Sequence, residues 1–329
     1  MENKVTVGFL EINEIQKIKP ALETEFSSGE SVAIKLHMGE TYNKNFLKPA
    51  FVRQFVDALT SIGCEPFLFD SPTLYRGGRS NSTAYMLTAA KNGFTKKAIG
   101  CPIKISNRAE YFPSEHFDVG VCKHLLEADG VFVLSHVKGH VCAGFGAAIK
   151  NIGMGALDKK TKGAIHNGGK PVYTEGCTEC GVCSKACPFG SIYYKGSRPH
   201  FDGGYCSGCG VCILSCPQKL IKPKIAMFDL LLAEGAAVAY KQFKKSYFAN
   251  AMLQVSKWCD CAPSSEIIAK DVGIVHGKDP VAADKAAYDL LKEREGGDVF
   301  YKANRKSPLD HIRAASRLDM GTLQYSLKK

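Results

Sequence analysis

The sequence predicts an α/β fold with a mostly parallel sheet, helices on both faces and a small cysteine-rich insert. Three observations lead to this prediction. Strands and helices alternate over residues 1–173, the alternation returns over residues 222–329, and eight cysteines crowd residues 174–221 between them. Such alternation places helices on the faces of a parallel sheet. We therefore expect a discontinuous α/β domain, interrupted by an insert at 174–221.

The individual elements follow from local patterns. Runs rich in β-branched and aromatic residues predict strands at 5–10, 31–37, 66–70, 130–137, 246–258 and 272–277. Apolar residues at helical spacing predict helices at 12–22, 49–62, 125–129, 225–242 and 280–291. Ligands bind beyond the carboxyl ends of strands in such sheets, and residues 35–40 and 135–140 follow strands in this way.

Four basic side chains in these two segments are candidate catalytic residues. Lys35 and His37 alternate at the end of one predicted strand, and Lys138 and His140 follow another. Lysine and histidine that converge on one crevice would bind a carboxylate or phosphate group. The alternative is a solvated strand edge without a ligand.

A glycine-rich stretch at 139–155 opens a helix after a predicted strand. It lacks the Gly-Lys-Ser/Thr of a Walker loop, and Ile149 stands where a Rossmann fingerprint has its third glycine. The candidate cofactor-binding residues in this stretch are Gly144, Gly146, Lys150 and Asn151, since an anionic ligand can approach a helix N-terminus through glycines. The alternative is tight packing of the helix on the sheet.

The cysteine-rich segment contains an internal repeat. Its two runs are Cys177-x2-Cys180-x2-Cys183-x3-Cys187-Pro and Cys206-x2-Cys209-x2-Cys212-x3-Cys216-Pro, offset by 29 positions. In this spacing three thiolates bind one cubane and the fourth binds the other cluster. The prediction is two 4Fe-4S clusters. One is held by Cys177, Cys180, Cys183 and Cys216, and the other by Cys206, Cys209, Cys212 and Cys187.

The sequence allows two other metal assignments. Four-cysteine zinc sites usually use two separated Cys-x2-Cys pairs, so the duplicated run ending in Cys-Pro favours iron–sulphur clusters over zinc. A further metal site is a hypothesis from soft donors elsewhere, namely His136, His140, Cys259 and Cys261. The sequence leaves open whether a flavin or such an additional metal is bound.

Composition and charge restrict the function classes. No apolar run reaches the ~18 residues of a membrane span, and acids interrupt the N-terminus, so we expect a cytoplasmic protein. The formal charge of +11 would fall to roughly +7 with two clusters of about −2 each. The basic stretch 301–329 predicts a solvated or docking tail. No aromatic-basic motif supports nucleic-acid binding, so none is expected.

Two resemblances add to this interpretation. The cysteine segment resembles a bacterial two-cluster ferredoxin, which implies a small α+β insert and one-electron transfer. The segments outside it resemble the domain of unknown function family 362, whose members are often labelled ferredoxin-bearing iron–sulphur centre proteins. The matching segments are 34–40, 67–82, 139–155, 258–261 and 271–289. That resemblance implies a fold and supplies no reaction.

The expected function is electron transfer between a redox partner protein, such as a ferredoxin or a reductase, and a site in the α/β domain. On this hypothesis the chain is a ferredoxin-linked oxidoreductase that reduces a small anionic substrate. The alternative is a non-catalytic electron carrier or a maturation or scaffold protein. Substrate, direction of electron flow and oligomeric state do not follow from the residues.

Overall fold

An eight-stranded sheet lies at the centre of the computed structural model, which describes residues 4–196 and 198–329. The strands of the amino-terminal half are Val5–Leu10 (β1), Ser31–Lys35 (β2), Glu65–Asp70 (β3), Ile103–Ile105 (β4), Ala109–Phe112 (β5), Val119–Cys122 (β6), Gly130–His136 (β7), Lys138–His140 (β8) and Gly144–Gly146 (β9). Those that follow are Pro171–Tyr173 (β10), Ile192–Lys195 (β11), Arg198–Phe201 (β12), Ile221–Pro223 (β13), Ser246–Met252 (β14), Val255–Ser256 (β15), Ile267–Ala269 (β16), Gly273–Gly277 (β17) and Tyr325–Lys328 (β18).

Helices connect most of these strands. The α-helices of the described residues are Lys19–Glu23 (α1), Pro49–Ser61 (α2), Ser82–Lys91 (α3), Lys96–Ile99 (α4), Lys123–Glu127 (α5), Ala148–Gly155 (α6), Lys159–Gly168 (α7), Val182–Ala186 (α8), Val211–Ser215 (α9), Phe228–Gln242 (α10), Pro280–Arg294 (α11), Val299–Asn304 (α12) and Asp310–Arg317 (α13). A 3-10 helix, Ile12–Ile18, precedes α1. In this described part of the chain, no helix combines the length and the apolar character that a membrane crossing requires.

The main sheet is mostly parallel. Its strand order is β18-β1-β17-β14-β7-β2-β3-β4, and within it only β17 runs antiparallel to its neighbours. Along β7, Val131 and Val133 point into one core, whereas Phe132 and Leu134 point into the other. This alternation follows from the two-residue period of a strand and gives the sheet a hydrophobic layer on each face. The predicted α/β fold class is confirmed.

Local signals in the sequence explain the helix ends that they predicted. Pro49 occupies the first turn of α2, and Gly63 follows its end with φ of 85°, a conformation that favours glycine. The side chain of Asp279 accepts a hydrogen bond of 2.8 Å from the Ala282 amide and caps α11. The helix expected at 12–22 forms as a 3-10 helix that continues into α1.

The cysteine-rich segment leaves and rejoins the α/β domain at one place. Strands β10 and β13 pair antiparallel at its base, with Val172 opposite Lys222. Beyond this ribbon lie the hairpin β11–β12 and the short helices α8 and α9. The main sheet continues after the segment with β14, which pairs in parallel with β7. A segment whose two ends are paired in this way can be accommodated without disturbing the sheet around it.

The prediction that residues 301–329 form a solvated or docking tail is wrong. Strand β18 adds to the main sheet parallel to β1, and α13 packs against α10 with Ile312 fully buried. Lys306 is also buried, and its ammonium lies 2.5 Å from Asp229 Oδ2. Only a few residues of this segment face the core. Because its positive charges dominate the sequence, these few apolar positions did not form a recognisable pattern.

Candidate functional site

A cavity of about 160 Å³ opens at the carboxyl ends of the central parallel strands. Lys35 ends β2, Asp70 ends β3 and His136 ends β7, and all three line it. The hairpin β8–β9, helices α6 and α7 and the loop 258–261 close the remaining sides. The cavity therefore lies where open α/β sheets bind their ligands.

Two buried ion pairs form one wall. The ammonium of Lys35 lies 2.9 Å from Asp70 Oδ1 and donates to Asn151 Oδ1 at 2.6 Å. The Arg79 guanidinium donates to Glu40 Oε1 at 3.0 Å. Because each of these charges has an opposite partner, the pairs fix the wall and leave little net charge for a ligand.

A second buried group centres on Asp260. Its carboxylate pairs with the Lys138 ammonium and lies 3.1 Å from His136 Nδ1, while His136 Nε2 lies 2.6 Å from the Leu253 carbonyl oxygen. Although burial favours the protonated acid, Lys138 and His136 hold the pKa of Asp260 well below its usual range. Asp260 is thus a carboxylate that holds two basic side chains at the cavity.

Two lysines of the lining have no carboxylate partner among the described residues. Lys150 makes no hydrogen bond or ion pair there, and burial lowers its pKa to about 8. Lys162 donates to Ser71 Oγ at 2.7 Å and to the Pro72 carbonyl at 2.6 Å, both neutral acceptors, and burial likewise lowers its pKa to about 8. Together they give the cavity an uncompensated positive charge that an anion would neutralise.

Two histidines of the lining are neutral hydrogen-bond donors. His37 Nδ1 accepts from the Gly39 amide at 2.9 Å, and His140 Nδ1 accepts from the Ala143 amide at 3.1 Å. Burial lowers the pKa of both well below the usual range. With Nδ1 an acceptor, each ring carries its proton on Nε2. His37 Nε2 is buried and has no partner in the described chain, so it is free to donate to a ligand.

Some residues of the glycine-rich stretch serve close packing, and others line the cavity. Gly144 has φ of 71°, and a Cβ there would lie 2.6 Å from the Lys306 carbonyl oxygen, so close packing requires this glycine. Gly146, Lys150 and Asn151 line the cavity. The Asn151 amide also donates to the Leu134 carbonyl at 3.1 Å and joins β7 to α6.

The eight cysteines of the insert form two groups of four. One group lines a small cavity and comprises Cys177, Cys180, Cys183 and Cys216. The other lines a second small cavity and comprises Cys187, Cys206, Cys209 and Cys212. This is the crossed grouping that the spacing predicts, with each fourth cysteine in the other run's group. All eight are free thiols.

The backbone of the two runs repeats as the sequence does. Gly181 and Gly210 precede α8 and α9 with φ of 71° and 77°, and Cys187 and Cys216 follow with φ −71° and ψ 113° in both. Amide and hydroxyl donors approach the sulphurs; the Ser191 amide lies 3.4 Å and its hydroxyl 3.2 Å from Cys187 Sγ. A cluster bound at thiolates is tuned by such hydrogen bonds, so these residues fit one.

The group around Cys206 shares a wall with the large cavity. His166 lines that cavity, and its Nδ1 lies 2.8 Å from the carbonyl oxygen of Ser207. The Ser207 hydroxyl lies 3.2 Å from the buried sulphur of Cys142. A Cβ on Gly208 would lie 2.3 Å from the His166 carbonyl oxygen, so a glycine lets the cysteine loop approach α7.

The group around Cys177 includes the one exposed cysteine of the eight. The residues that line its cavity all fall between 173 and 221, and Cys180 is exposed. In the group around Cys206, by contrast, no cysteine is exposed. We therefore name the Cys177 group the outer group and the Cys206 group the inner group.

The further metal site expected from His136, His140, Cys259 and Cys261 is not assembled. Both ring nitrogens of His136 contact acceptors, and the sulphurs of Cys259 and Cys261 are joined in a disulfide. Over residues 4–196 and 198–329, no three His, Cys, Asp or Glu side chains are arranged to hold a single metal ion.

Several residues of the cavity lining are not among the candidates that the sequence predicts. They are Asp70, Arg79, Lys162, His166 and Asp260. A signal existed for two of them, since Lys162 and His166 are four residues apart on α7 and share a helical face. Asp70 is the last residue of the predicted strand 66–70, and Asp260 lies within the segment 258–261. A single aspartate at a strand end or in a loop is not specific for a functional site, because it has many other uses.

Comparison with known proteins identifies a family and no activity. The DUF362 family, described as a domain of unknown function, matches residues 32–289. No curated protein matches the chain. A crystal structure of a Thermotoga maritima protein from a structural genomics consortium is 10% identical with a TM-score of 0.46, and the alignment covers 94% of this chain and 59% of that one.

A second solved structure, the lactate racemase apoprotein of Thermoanaerobacterium thermosaccharolyticum, is 14% identical with a TM-score of 0.45. The alignment covers 88% of this chain and 57% of the racemase. The chain thus spans less than two thirds of either protein. Likeness at these scores carries no argument about activity.

Proposed function

The chain belongs to the DUF362 family, whose name assigns no activity, and we propose that it binds two 4Fe-4S clusters and transfers electrons to an anionic substrate in the large cavity. The observation that carries the proposal is the shared wall. His166 lines the cavity and contacts Ser207, which lies between two cysteines of the inner group. One-electron transfer at low potential is the chemistry that such clusters supply when bound.

The donor set supports clusters over zinc. A single zinc ion needs four sulphurs that converge on one point, whereas a cubane binds each thiolate at a different iron and keeps the sulphurs apart. Eight free thiols line two cavities in the insert, and none of the described donors converges as a single ion requires. The cysteine residues of the outer and inner groups are therefore the proposed cluster ligands.

The cavity residues support an anionic substrate. Lys150 and Lys162 have no carboxylate partner among the described residues, and His37 presents a neutral Nε2–H. In this proposal the lysines bind a carboxylate or phosphate group, and His37 and His140 donate hydrogen bonds to the group that is reduced. The ion pairs of Lys35 and Lys138 hold the wall in place.

The exposed position of Cys180 supports a direction for the electrons. We propose that a redox partner protein, a small ferredoxin or a reductase, docks at the outer group and that the inner group faces the cavity. These roles of the two groups follow from their burial. A partner protein must reach the outer group, whereas the substrate must be shielded from solvent and from that partner.

Paired cysteine substitutions test the cluster assignment. Anaerobically purified protein should contain about eight iron atoms and as many acid-labile sulphides per chain. The double variant C177S/C216S alters one group and should keep about half of the iron, whereas C177S/C187S alters both groups and should lose most of it.

Both variants remove two thiols, so they are matched in composition, and C101S serves as the control because Cys101 is a buried thiol far from the insert in sequence. Electron paramagnetic resonance of the reduced samples identifies the remaining cluster. Colourless protein without iron, or equal iron in the two double variants, would contradict the assignment.

A further inference from the structure

A disulfide lies in the wall of the large cavity. Cys259 and Cys261 are joined, their Cα atoms are 5.3 Å apart, and both line the cavity. Cys259 is largely buried, and Asp260 between them is fully buried. The other twelve cysteines, all within the described chain, are free thiols. The one disulfide therefore lies among the groups that would meet a substrate.

Stabilisation of the fold does not account for this disulfide. The bond closes a loop with a single intervening residue, and the stabilisation that a disulfide gives falls as the closed loop shortens. The loop is already held by other contacts, since the Glu40 amide donates to the Asp260 carbonyl and Asn43 Nδ2 donates to the Ala262 carbonyl. A bond between such near neighbours joins no separate elements.

We propose that Cys259 and Cys261 form a redox-active pair that stores two electrons at the substrate cavity. This inference rests on the proposed function, because the reductants are the two 4Fe-4S clusters, each of which gives one electron. The sulphur–sulphur bond breaks, two electrons and two protons are taken up, and two thiols form. Oxidation of the dithiol returns both electrons and both protons. The pair thus converts single-electron steps into the two-electron step that most organic reductions need.

The surroundings of the loop supply the protons. Asp260 lies between the two cysteines in sequence, and its carboxylate pairs with Lys138 and His136, two groups that can carry a proton. The cavity is open to solvent, which can replace the protons that Lys138 and His136 donate. Burial also lowers the pKa of Lys138, although Asp260 opposes that effect, so its proton is easier to release than that of a surface lysine.

The position relative to the inner group supports the electron source. His166, which contacts Ser207 of the inner group, and both cysteines of the disulfide line the same cavity. In a chain with a reducing cluster on one wall of a cavity, a disulfide on another wall is placed to accept its electrons.

Trapping of thiols before and after cluster reduction tests the proposal. The anaerobic holoprotein is divided into an oxidised sample and a sample reduced by light and a deazaflavin, a one-electron donor without thiols. Each is quenched in acid, denatured with N-ethylmaleimide and digested for mass spectrometry. We expect the peptide that contains Cys259 and Cys261 to be linked in the oxidised sample and doubly alkylated in the reduced one. Cys64 and Cys101 should be alkylated in both.

The variant C187S/C206S, which alters the inner group, is the comparison that assigns the source. Its peptide should remain linked for at least tenfold longer under the same illumination. Opening at the rate of the unaltered protein would overturn the proposal, as would alkylation of the peptide in the oxidised sample. Persistence of the link after the cluster absorbance has bleached would also overturn it. Absence of iron and sulphide in the starting protein would instead contradict the proposed function, so the two failures are distinguishable.

Discussion

At the scale of single residues, Lys150 stands out because a charge is held at the cavity without a partner. Burial is the main cause that lowers its pKa to about 8. Lys138 and Arg79 act in the same direction, and Cys142 and Asp260 oppose them. The charged form is therefore present below about pH 8 and is lost above it. A buried ammonium without an acidic partner destabilises the folded protein. Such a group is typical of a site where a bound ligand supplies the negative charge.

The first prediction from this residue concerns anion binding. We expect the holoprotein to bind inorganic phosphate at pH 7 and to bind it about tenfold more weakly at pH 9, because Lys150 has lost its proton there. The variant K150R should lose less of its affinity between pH 7 and pH 9 than the unaltered protein, since the guanidinium stays charged while Lys162 still loses its proton. The variant K150M should bind weakly at both. Isothermal titration calorimetry measures these affinities.

The control for this prediction is K91M, because Lys91 is exposed at the end of α3, outside the cavity lining. It should bind phosphate as the unaltered protein does. The same charge should also destabilise the fold, so K150M should raise the free energy of unfolding at pH 7 by about 1–3 kcal/mol. That gain should shrink as pH rises above 8, where the unaltered lysine becomes neutral. Phosphate affinity that is independent of pH in the unaltered protein would contradict the assignment.

At the scale of secondary structure, helix α6 shows how the site depends on a distant element. Its own N-cap residue, Ala147, offers no side-chain acceptor. Asp284 on α11 takes that role, and its carboxylate oxygens accept from the Ala148 amide at 2.8 Å and the Ile149 amide at 3.0 Å. The same helix carries Lys150 and one wall of the cavity. The cap therefore positions the site from the other end of the chain.

We predict that D284A destabilises the protein by about 2–4 kcal/mol, since two buried amides lose their acceptor. The matched control is D289A on the same helix, where a half-buried carboxylate contacts Lys285 and Tyr325, and its cost should stay below about 1 kcal/mol. Denaturant unfolding followed by circular dichroism measures both. Equal losses in the two variants would show that Asp284 does not serve as a cap.

The sequence could predict features that depend on near neighbours. The positions of β1, β2, β3, β7, β14 and β17 and of the helices α2, α10 and α11 followed from local patterns, although β14 ends at Met252, short of the predicted 246–258. The crossed grouping of the insert cysteines followed from their spacing. The contacts that complete the cavity could not be predicted, because they join residues far apart. Lys138 and Asp260 are 122 positions apart, and Asp284 is 136 positions from the amide that it caps. Such pairs are selected by packing of the whole chain rather than by a local pattern.

At the scale of the whole molecule, the last thirty residues complete the domain. Phe300 and Ile312 are buried, β18 extends the sheet, and a carbonyl of Lys306 packs against Gly144 beside the cavity hairpin. The otherwise apolar helix α10 contains an acidic residue, Asp229. The hydropathy of the helix does not explain why an acid lies there. Its partner is Lys306, some 77 positions away. The basic segment thus provides the charge that this helix requires.

The final prediction tests that docking. Lys306 and Asp229 are both buried, with 2.5 Å between ammonium and carboxylate, and burial raises the pKa of Asp229 to about 6 despite the lysine. We expect K306A to cost about 3–5 kcal/mol because it leaves a buried acid unpaired, and K306M/D229L to recover most of that loss. K302A, at an exposed position of the same segment, should cost less than about 0.5 kcal/mol. Denaturant midpoints of the three variants measure this. If K306A were as mild as K302A, the segment would not contribute to the cooperative unit, and its charge would be a surface feature after all.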